Sequence, residues 1–563
     1  MIRRSMPLAA LAALLVCAGP ARAQTEALPP VELAAGVTAE GLAERAEQFA
    51  PVDLAFDASL LDAGDRVVVE KLVEASDALN EIFQLQVWRR NLAYRAALDD
   101  AGAELETARA YYDIMAGPWD RLEGDEPFLA VGAKPAGAGY YPEDATDAEI
   151  EAWISAHPED REAFTSYYTV IEREGERLVA VPYHEAYAER LEHAAGLLRE
   201  AAAHADNASL EDFLVKRADS FLSDDYLASE IAWMQLEGNL IDVTIGPYEV
   251  YEDELMGWKA AFESFIGIKD PGASADLEVL VSHLPDLEAG LPTDEAYKSP
   301  DRSFESPISV IDVIYTAGDA RRGVMTVAYN LPNDARVSAE YGTKKVMLRN
   351  VIDAKFEKVL VPIAERVLEP ALAAEIGPRP FTTGVVMHEL AHGLGPRVVH
   401  GTDESVSVRL GASYSPIEEA KADVVGVLSL AQLADAGVYD DAFRRQVYIS
   451  SVAGLFRCVR FGTEEAHGKG CAVQLNHLLE EGAVTVGAEG RFGIAFDRIH
   501  GAYQGIARRL LTIEATGDVT GAEALLAEMG DLPPPVVEAL GRIADVPVDI
   551  RPHYTVLDAM EGW

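Results

Sequence analysis

Residues 381–396 read FTTGVVMHELAHGLGP, which places His388 and His392 four apart with Glu389 between them. On an α-helix, residues four apart share a face about one turn from each other. Two imidazoles so placed suit two ligands of one metal ion, with the intervening carboxylate beside that ion rather than on it. Thr382 or Thr383 is expected to cap the helix, and Gly393, Gly395 and Pro396 to end it. The competing structural reading is a helix end whose histidines, when protonated, favour the C-terminal dipole.

A hydrolytic zinc site takes three protein ligands and keeps a fourth position open for water. The stretch SPIEEAKADVVGVLSL, from Ser415, offers the third ligand. Ser415 is read as N-cap, Pro416 as the first helical residue and Glu418 as the capping-box partner, which gives Glu418 a purely structural explanation. Glu419 and Asp423 have none. They lie on one face of a helix that is otherwise Val424, Val425, Val427 and Leu428, and carboxylates in such surroundings need partners. Glu419 completes a His388, His392 and Glu419 ligand set for one zinc ion, and Asp423, with Glu418 beside it, can accept the second N–H of a ligand histidine and fix its tautomer. Glu389 is then the general base for the attacking water.

The elements that must carry these residues are mostly helical. From Gln24 to about Glu237 the apolar spacing is three to four, as in YAERLEHAAGLLREAAAHA from Tyr187, with a Gly/Pro-rich surface loop from Gly117 to Pro142. Alternation marks strands in NLIDVTIGPYEVY from Asn239, SPISVIDVIY from Ser306 and GVMTVAYNLP from Gly323, and a long helix is expected from about Gly342 to Ala373. The expected fold is α+β and predominantly α-helical, with a helical zinc-binding catalytic lobe and a mixed α/β lobe separated by a cleft. The expected divisions are a signal peptide over 1–23, a mostly helical lobe ending in strands over 24–270 and a strand-containing link over 271–354. A catalytic lobe follows over 355–525, and then a C-terminal segment over 526–563 that returns to the first lobe.

The chain has 563 residues, 49% of them hydrophobic, enough for a large core. Arg3 and Arg4, the apolar run Leu8 to Val16 and the small-x-small end Ala21-Arg22-Ala23 read as a secretory signal, which predicts a secreted, periplasmic protein; a lipid anchor at Cys17 fits less well. That run is too short to span a bilayer, and no other stretch looks transmembrane. Removal of Arg3, Arg4 and Arg22 takes the formal charge from −47 to −50, which disfavours nucleic acid and anionic membranes as partners. Cys458 and Cys471 would then remain, as one disulfide or as two free thiols. Oligomeric state is not legible.

HELAHG and EEAKAD resemble the paired motifs of the dipeptidyl peptidase III family of zinc peptidases, peptidase family M49, whose second motif has the form E-E-x-[RK]-A-[ED]. YEVYEDELMGWKAAFESFIG from Tyr248 is similar to that family's E-x-Y-x-D segment, YNLPND from Tyr329 to its N-x-P-N segment, and EEAHGKGCAVQL from Glu464 to its A-H region. The likeness covers roughly Tyr248 to Leu479 and offers no landmark in the N-terminal half. It implies a zinc ion on His388, His392 and Glu419, Glu389 as base, His467 stabilising the developing oxyanion and Tyr251 beside the scissile bond. It implies further that Glu249 holds the peptide's free amine while Asn330 and Asn333 bond the substrate backbone. By residue type alone Tyr251 is a core residue, His467 an ordinary loop or helix-end histidine, and the asparagines turn residues around Pro332.

Many family members carry a six-residue H-E-x-x-G-H form, whereas this chain has the five-residue spacing, a departure that bears on substrate preference. The function expected is hydrolysis of short peptides with release of N-terminal dipeptides. The alternatives are a zinc aminopeptidase or endopeptidase of different register, or a non-catalytic peptide-binding protein with a structural zinc. Glu389 discriminates, since a structural site needs no unbound carboxylate and is closed by a fourth ligand.

Overall fold

A computed structural model of the chain describes residues 28–299, 308–487 and 489–563. The expected signal segment lies outside them. The fold is α+β and predominantly helical, in two lobes.

The first lobe is built on a sheet with long helices against it. Strand β1 (Phe49–Leu54) precedes helix α1 (Ala63–Val87), which starts at a reciprocal capping box between Asp62 and Asp65 and buries Val68, Val69, Leu72, Leu79 and Ile82 at helical spacing. Helix α2 (Ala188–His204) packs along it. Five further strands follow: β2 (Ile241–Glu249), β3 (Ala261–Lys269), β4 (Ile308–Gly318), β5 (Ala328–Leu331) and β6 (Lys344–Leu348). They form one sheet in the order β2-β3-β4-β6-β5, antiparallel except for the parallel pair β4 and β6. The last strand, β7 (Asp549–Tyr554), runs parallel to β1, so the chain ends beside its start.

The second lobe is a cluster of helices: α3 (Pro378–Ala391), α4 (Tyr414–Asp435), α5 (Asp441–Val459), α6 (Ala466–Glu480) and α7 (Ile499–Thr516). Helix α4 is central and touches the other four. Val424, Val425 and Leu430 at its middle join Met387, Phe456, Leu475 and Ile506 in one buried core. Small residues set the spacing. A Cβ on Gly426 would stand 3.3 Å from His388 N, and one on Gly470 would stand 3.0 Å from Pro416 O, so α3 and α6 both approach α4 more closely than larger side chains allow.

Several expectations are corrected. The segment expected to be one helix from Gly342 to Ala373 opens as β6 and becomes helical only at Arg349, with a π turn over Phe356–Leu360 and a break at Leu368. KKVML alternates too briefly to stand out from a helical pattern. The GVMTVAYNLP stretch is strand only over Ala328–Leu331. Strand β3 went unread because Glu263 and Gly267 interrupt its apolar run, although eight of its nine residues are buried. The mostly helical N-terminal half also holds a hairpin of Thr169–Glu174 with Arg177–Pro182, and the Gly117 to Pro142 loop holds a two-residue strand pair, Trp119–Asp120 with Glu126–Pro127. Thr382 and Thr383 are not caps: the helix begins at Pro378 behind Gly377, and Thr382 instead donates to Asp353.

Gly426→Leu should force α3 away from α4 and destabilise the protein by about 1–3 kcal/mol, the usual cost of overpacking. Chemical denaturation would measure it, and an unchanged midpoint would contradict the close approach.

Candidate metal centre

Helix α3 presents His388 and His392 to α4 with ring centroids 4.8 Å apart and planes nearly perpendicular. Each ring is oriented from behind. His388 Nδ1 lies 2.7 Å from Asp423 Oδ1, and His392 Nδ1 lies 2.8 Å from Glu418 Oε1. A carboxylate at Nδ1 calls for the proton there, which leaves Nε2 of both rings as a lone-pair donor. Glu418 therefore does not serve as a capping-box partner. Helix α4 starts at Tyr414, one residue before the expected cap Ser415, and no side chain caps it at Ser413.

Both Nε2 atoms face one oxygen. Glu419 Oε2 stands 3.5 Å from His388 Nε2, 3.9 Å from His392 Nε2 and 3.2 Å from His467 Nε2. That oxygen is buried and has no hydrogen-bond partner among the described residues. A buried carboxylate oxygen without a donor is costly, and one surrounded by imidazole lone pairs is matched by a cation. Nitrogen and carboxylate donors of this kind suit zinc. His388, Glu419 and His467 form a group whose ligand atoms all lie within 4.8 Å of one another; His392 of the expected set stands outside that group, with its Nε2 3.9 Å from Glu419 Oε2. His467 differs from the rest in being 71% exposed.

The electrostatics follow from the pairs. Burial pulls the His388 pKa down, while Asp423 and then Glu419 raise it and prevail, so the ring sits among carboxylates that favour positive charge at this point. Burial works equally against Glu418, yet His392 and Lys421 hold its carboxyl at about 2. Asp423 and Glu419 are also depressed despite their burial, each chiefly by His388.

Three further residues were not legible beforehand. Lys421 Nζ donates to Glu418 Oε1 at 2.8 Å and to the carbonyls of Ala391 and Leu394 at 3.1 and 3.0 Å, so it ties the end of α3 to the carboxylate behind His392. Its three-residue offset from Glu418 was the available signal. Gln474 donates to Asp423 Oδ2 at 2.9 Å. Lys345 reaches across from β6, with Nζ 3.3 Å from Glu389 Oε2 and a second bond to the Glu389 carbonyl; it was hidden by the helical reading of that segment.

Glu389 and His388 line a cavity of about 420 Å³, as does His467. His467 lies in the first turn of α6, and the question left open by the cysteines is answered: Cys458 and Cys471 form a disulfide that joins α5 to α6 on either side of it. The remaining predicted residues sit on the sheet lobe. Glu249 ends β2, where burial and then Asp319 raise its pKa, while Asn333 opposes. Tyr251 is 71% exposed, so it is no core residue. Asn333 donates to Tyr248 O at 3.0 Å, and the exposed Asn330 pairs in register with Lys345. No hydrogen bond or ion pair joins these four side chains to the histidines among the described residues.

A helical pair carrying H-E-x-x-H and a following glutamate defines a metallopeptidase-type centre. The profile of peptidase family M49 matches residues 144–425, and the chain belongs to that family and is a peptidase hydrolase. It is similar to Nudix hydrolase 3 of Arabidopsis thaliana, at 35% identity over 92% of this chain and 74% of that protein. Dipeptidyl peptidase 3 of Homo sapiens is 26% identical over 62% of this chain and 54% of its own length. Among solved structures, DPP III from Caldithrix abyssi superposes with a TM-score of 0.89 at 44% identity, covering 92% of this chain and all of that one (100%). Dipeptidyl-peptidase III from Corallococcus sp. strain EGB gives 0.78 at 41%, covering 93% and 98%.

Asp423→Asn and Glu418→Gln should each weaken zinc retention by roughly 10- to 100-fold without unfolding the protein, because each loosens one ligand ring. Competition against a chelator would measure it, and unaltered retention in both variants would remove these carboxylates from the site.

Proposed function

We propose that the chain is a zinc-dependent peptidase that releases dipeptides from the free amino end of short peptides. The observation that carries the reading is the unsatisfied Glu419 Oε2 facing the imidazole nitrogens while Glu389 stands beside them, held by Lys345 and directed into the cavity.

In this reading His388, His392 and Glu419 hold one zinc ion per chain, and Asp423 and Glu418 orient the two rings. Zinc when bound supplies Lewis acidity, which polarises the substrate carbonyl and acidifies water. Glu389 takes the proton from the attacking water and passes it to the leaving amine. His467, exposed at its ring end, donates to the oxyanion that develops on the carbonyl, with Tyr251 beside the scissile bond. Glu249 pairs with the substrate ammonium, and Asn330 and Asn333 bond the intervening backbone, so that two residues are measured from the amine. The helical segment 355–525 is the catalytic lobe, and the strands within 271–354, expected as a link, complete the sheet of the strand-bearing 24–270. The C-terminal 526–563 returns to that first lobe.

The leader reading of residues 1–23 places the mature protein outside the cytoplasm, in the periplasm, where the Cys458–Cys471 bridge would be stable. The name of the human relative and the two solved structures support the dipeptidyl register. A purely structural zinc is disfavoured because Glu389 has no part in such a site.

Glu389→Gln should keep zinc and lower turnover by roughly 10²- to 10⁴-fold. Metal analysis alongside kinetics checks it, and undiminished turnover would sink the base assignment. Acetylating the substrate amine should cost about 1.5–3 kcal/mol in kcat/KM, and Glu249→Gln should reproduce much of that loss on free peptides only. Product mass spectrometry that found single amino acids, or equally fast internal cleavage of blocked peptides, would contradict the register.

A further inference from the structure

Arg457 stands in the last turn of α5 and lines the same cavity as His388, Glu389 and His467. No hydrogen bond or ion pair engages its guanidinium among the described residues, and its Nε is buried without an acceptor. An arginine head carries five donors, and leaving them without anions in a partly buried site is expensive unless a ligand supplies one. Its own surroundings do not. Asp549 is the carboxylate that acts on it electrostatically, but that group is already bound by Lys355 Nζ at 2.8 Å and by Met325 N. Arg460 adds a second positive charge nearby.

Two of the cavity's carboxylates are already engaged. Asp423 is held by His388 and Gln474, and Glu389 by Lys345. Glu465, exposed at the rim, has no hydrogen bond or ion pair to Arg457 among the described residues. The remaining wall is largely apolar, with Val385, Val427, Leu430 and Leu455, which strengthens any charge pair formed inside.

We infer that Arg457 is a specificity-determining residue that binds a carboxylate of the substrate on the carboxyl side of the scissile bond. This rests on the peptidase reading above. The side follows from the lining: Glu249, Tyr251, Asn330 and Asn333, assigned to the amino end, are absent from this cavity, while the metal ligand His388 and the base Glu389 form one wall of it. A planar guanidinium takes a carboxylate through two parallel bonds. The carboxylate comes from an acidic side chain in the third or fourth position or from the C-terminus of a short peptide, and the two are separated by experiment.

The test compares tetrapeptides with Glu or Gln at positions three and four, each as free acid and as amide. Steady-state kinetics would be run on the zinc-loaded enzyme and on Arg457→Met and Arg457→Lys, with peptide Kd measured by calorimetry on Glu389→Gln and on its Arg457→Met double variant. The expected result is a preference of roughly tenfold or more for the peptide bearing the matching carboxylate, expressed in KM and Kd rather than kcat. That preference should vanish in Arg457→Met and partly return in Arg457→Lys. A Glu-over-Gln preference identifies the side chain, and an acid-over-amide preference identifies the terminus. Equal values for all four peptides, or a preference that survives in Arg457→Met, would overturn the inference. If Arg457→Met does not fold, the Arg457→Lys ratios and the wild-type preferences decide it. Failure to cleave any of the peptides would overturn the peptidase reading instead, and the Kd comparison would still decide Arg457.

Discussion

One carboxylate oxygen organises the centre of this protein. Glu419 Oε2 is buried, accepts no hydrogen bond among the described residues, and has three imidazole nitrogens as its nearest polar neighbours. Without a cation that arrangement would cost several kcal/mol in desolvation. Much of the helical lobe can be understood as the frame that holds the oxygen there. Central α4 is surrounded by four helices, Gly426 and Gly470 let α3 and α6 close on it, and the charges nearest the histidines are compensated from behind. His388 has Asp423, His392 has Glu418, and Glu418 has Lys421. Of these groups, the oxygen that lacks a protein donor is the one placed to meet a cation.

The same rule governs the sheet lobe in a chain of formal charge −47. Buried carboxylates there are tied to cations or to N–H and O–H donors, and two of these ties fix the loop after β2. Glu252 is fully enclosed; burial would raise its pKa, but Arg121, Lys134 and Arg322 hold it at about 2. Next to it, Asp253 accepts from Tyr141 and from the backbone of Trp258 at 3.0 and 2.8 Å. Between these anchors and Glu249, the Tyr251 ring is thrust into solvent. An exposed aromatic side chain on a loop pinned by buried ions is held in place without being used for packing, which is what a residue that meets a substrate requires.

Which side chains share a helix face was easier to read from the sequence than where the strands lie. His388, Glu389, His392, Glu419 and Asp423 were legible because helical spacing converts sequence offsets directly into a shared face, and because carboxylates on an apolar helix have few innocent explanations. The capping-box reading of Glu418 failed because its spacing from Ser415 imitates one, whereas its expected place beside Asp423, behind a histidine ring, is where His392 meets it. Lys345 and Gln474 were beyond reach, since they arrive from elements whose placement is set by tertiary packing. Strand β3 was lost because a strand buried on both faces need not alternate, and Glu263 within it is a charge whose tolerance depends on neighbours remote in sequence.

The five-residue spacing of HELAH has its own consequence for how the centre is held. His392 N still bonds to His388 O at 3.3 Å, so the helix stays regular through both ligands and ends immediately beyond them. An extra residue between the histidines would turn the second ring by about 100° unless the helix widened locally. Here no widening is needed, and the helix terminus supplies the constraint instead, through Lys421 bonding the Ala391 and Leu394 carbonyls together with Glu418. Lys345 grips the same helix from the sheet side through the Glu389 carbonyl and carboxylate. The last turn of α3 is thus fixed from both lobes at once. Lys345 meets the Glu389 carboxylate while Lys421 meets the carbonyls just beyond it, so the two cations between them fix both the backbone and the side chain of that turn.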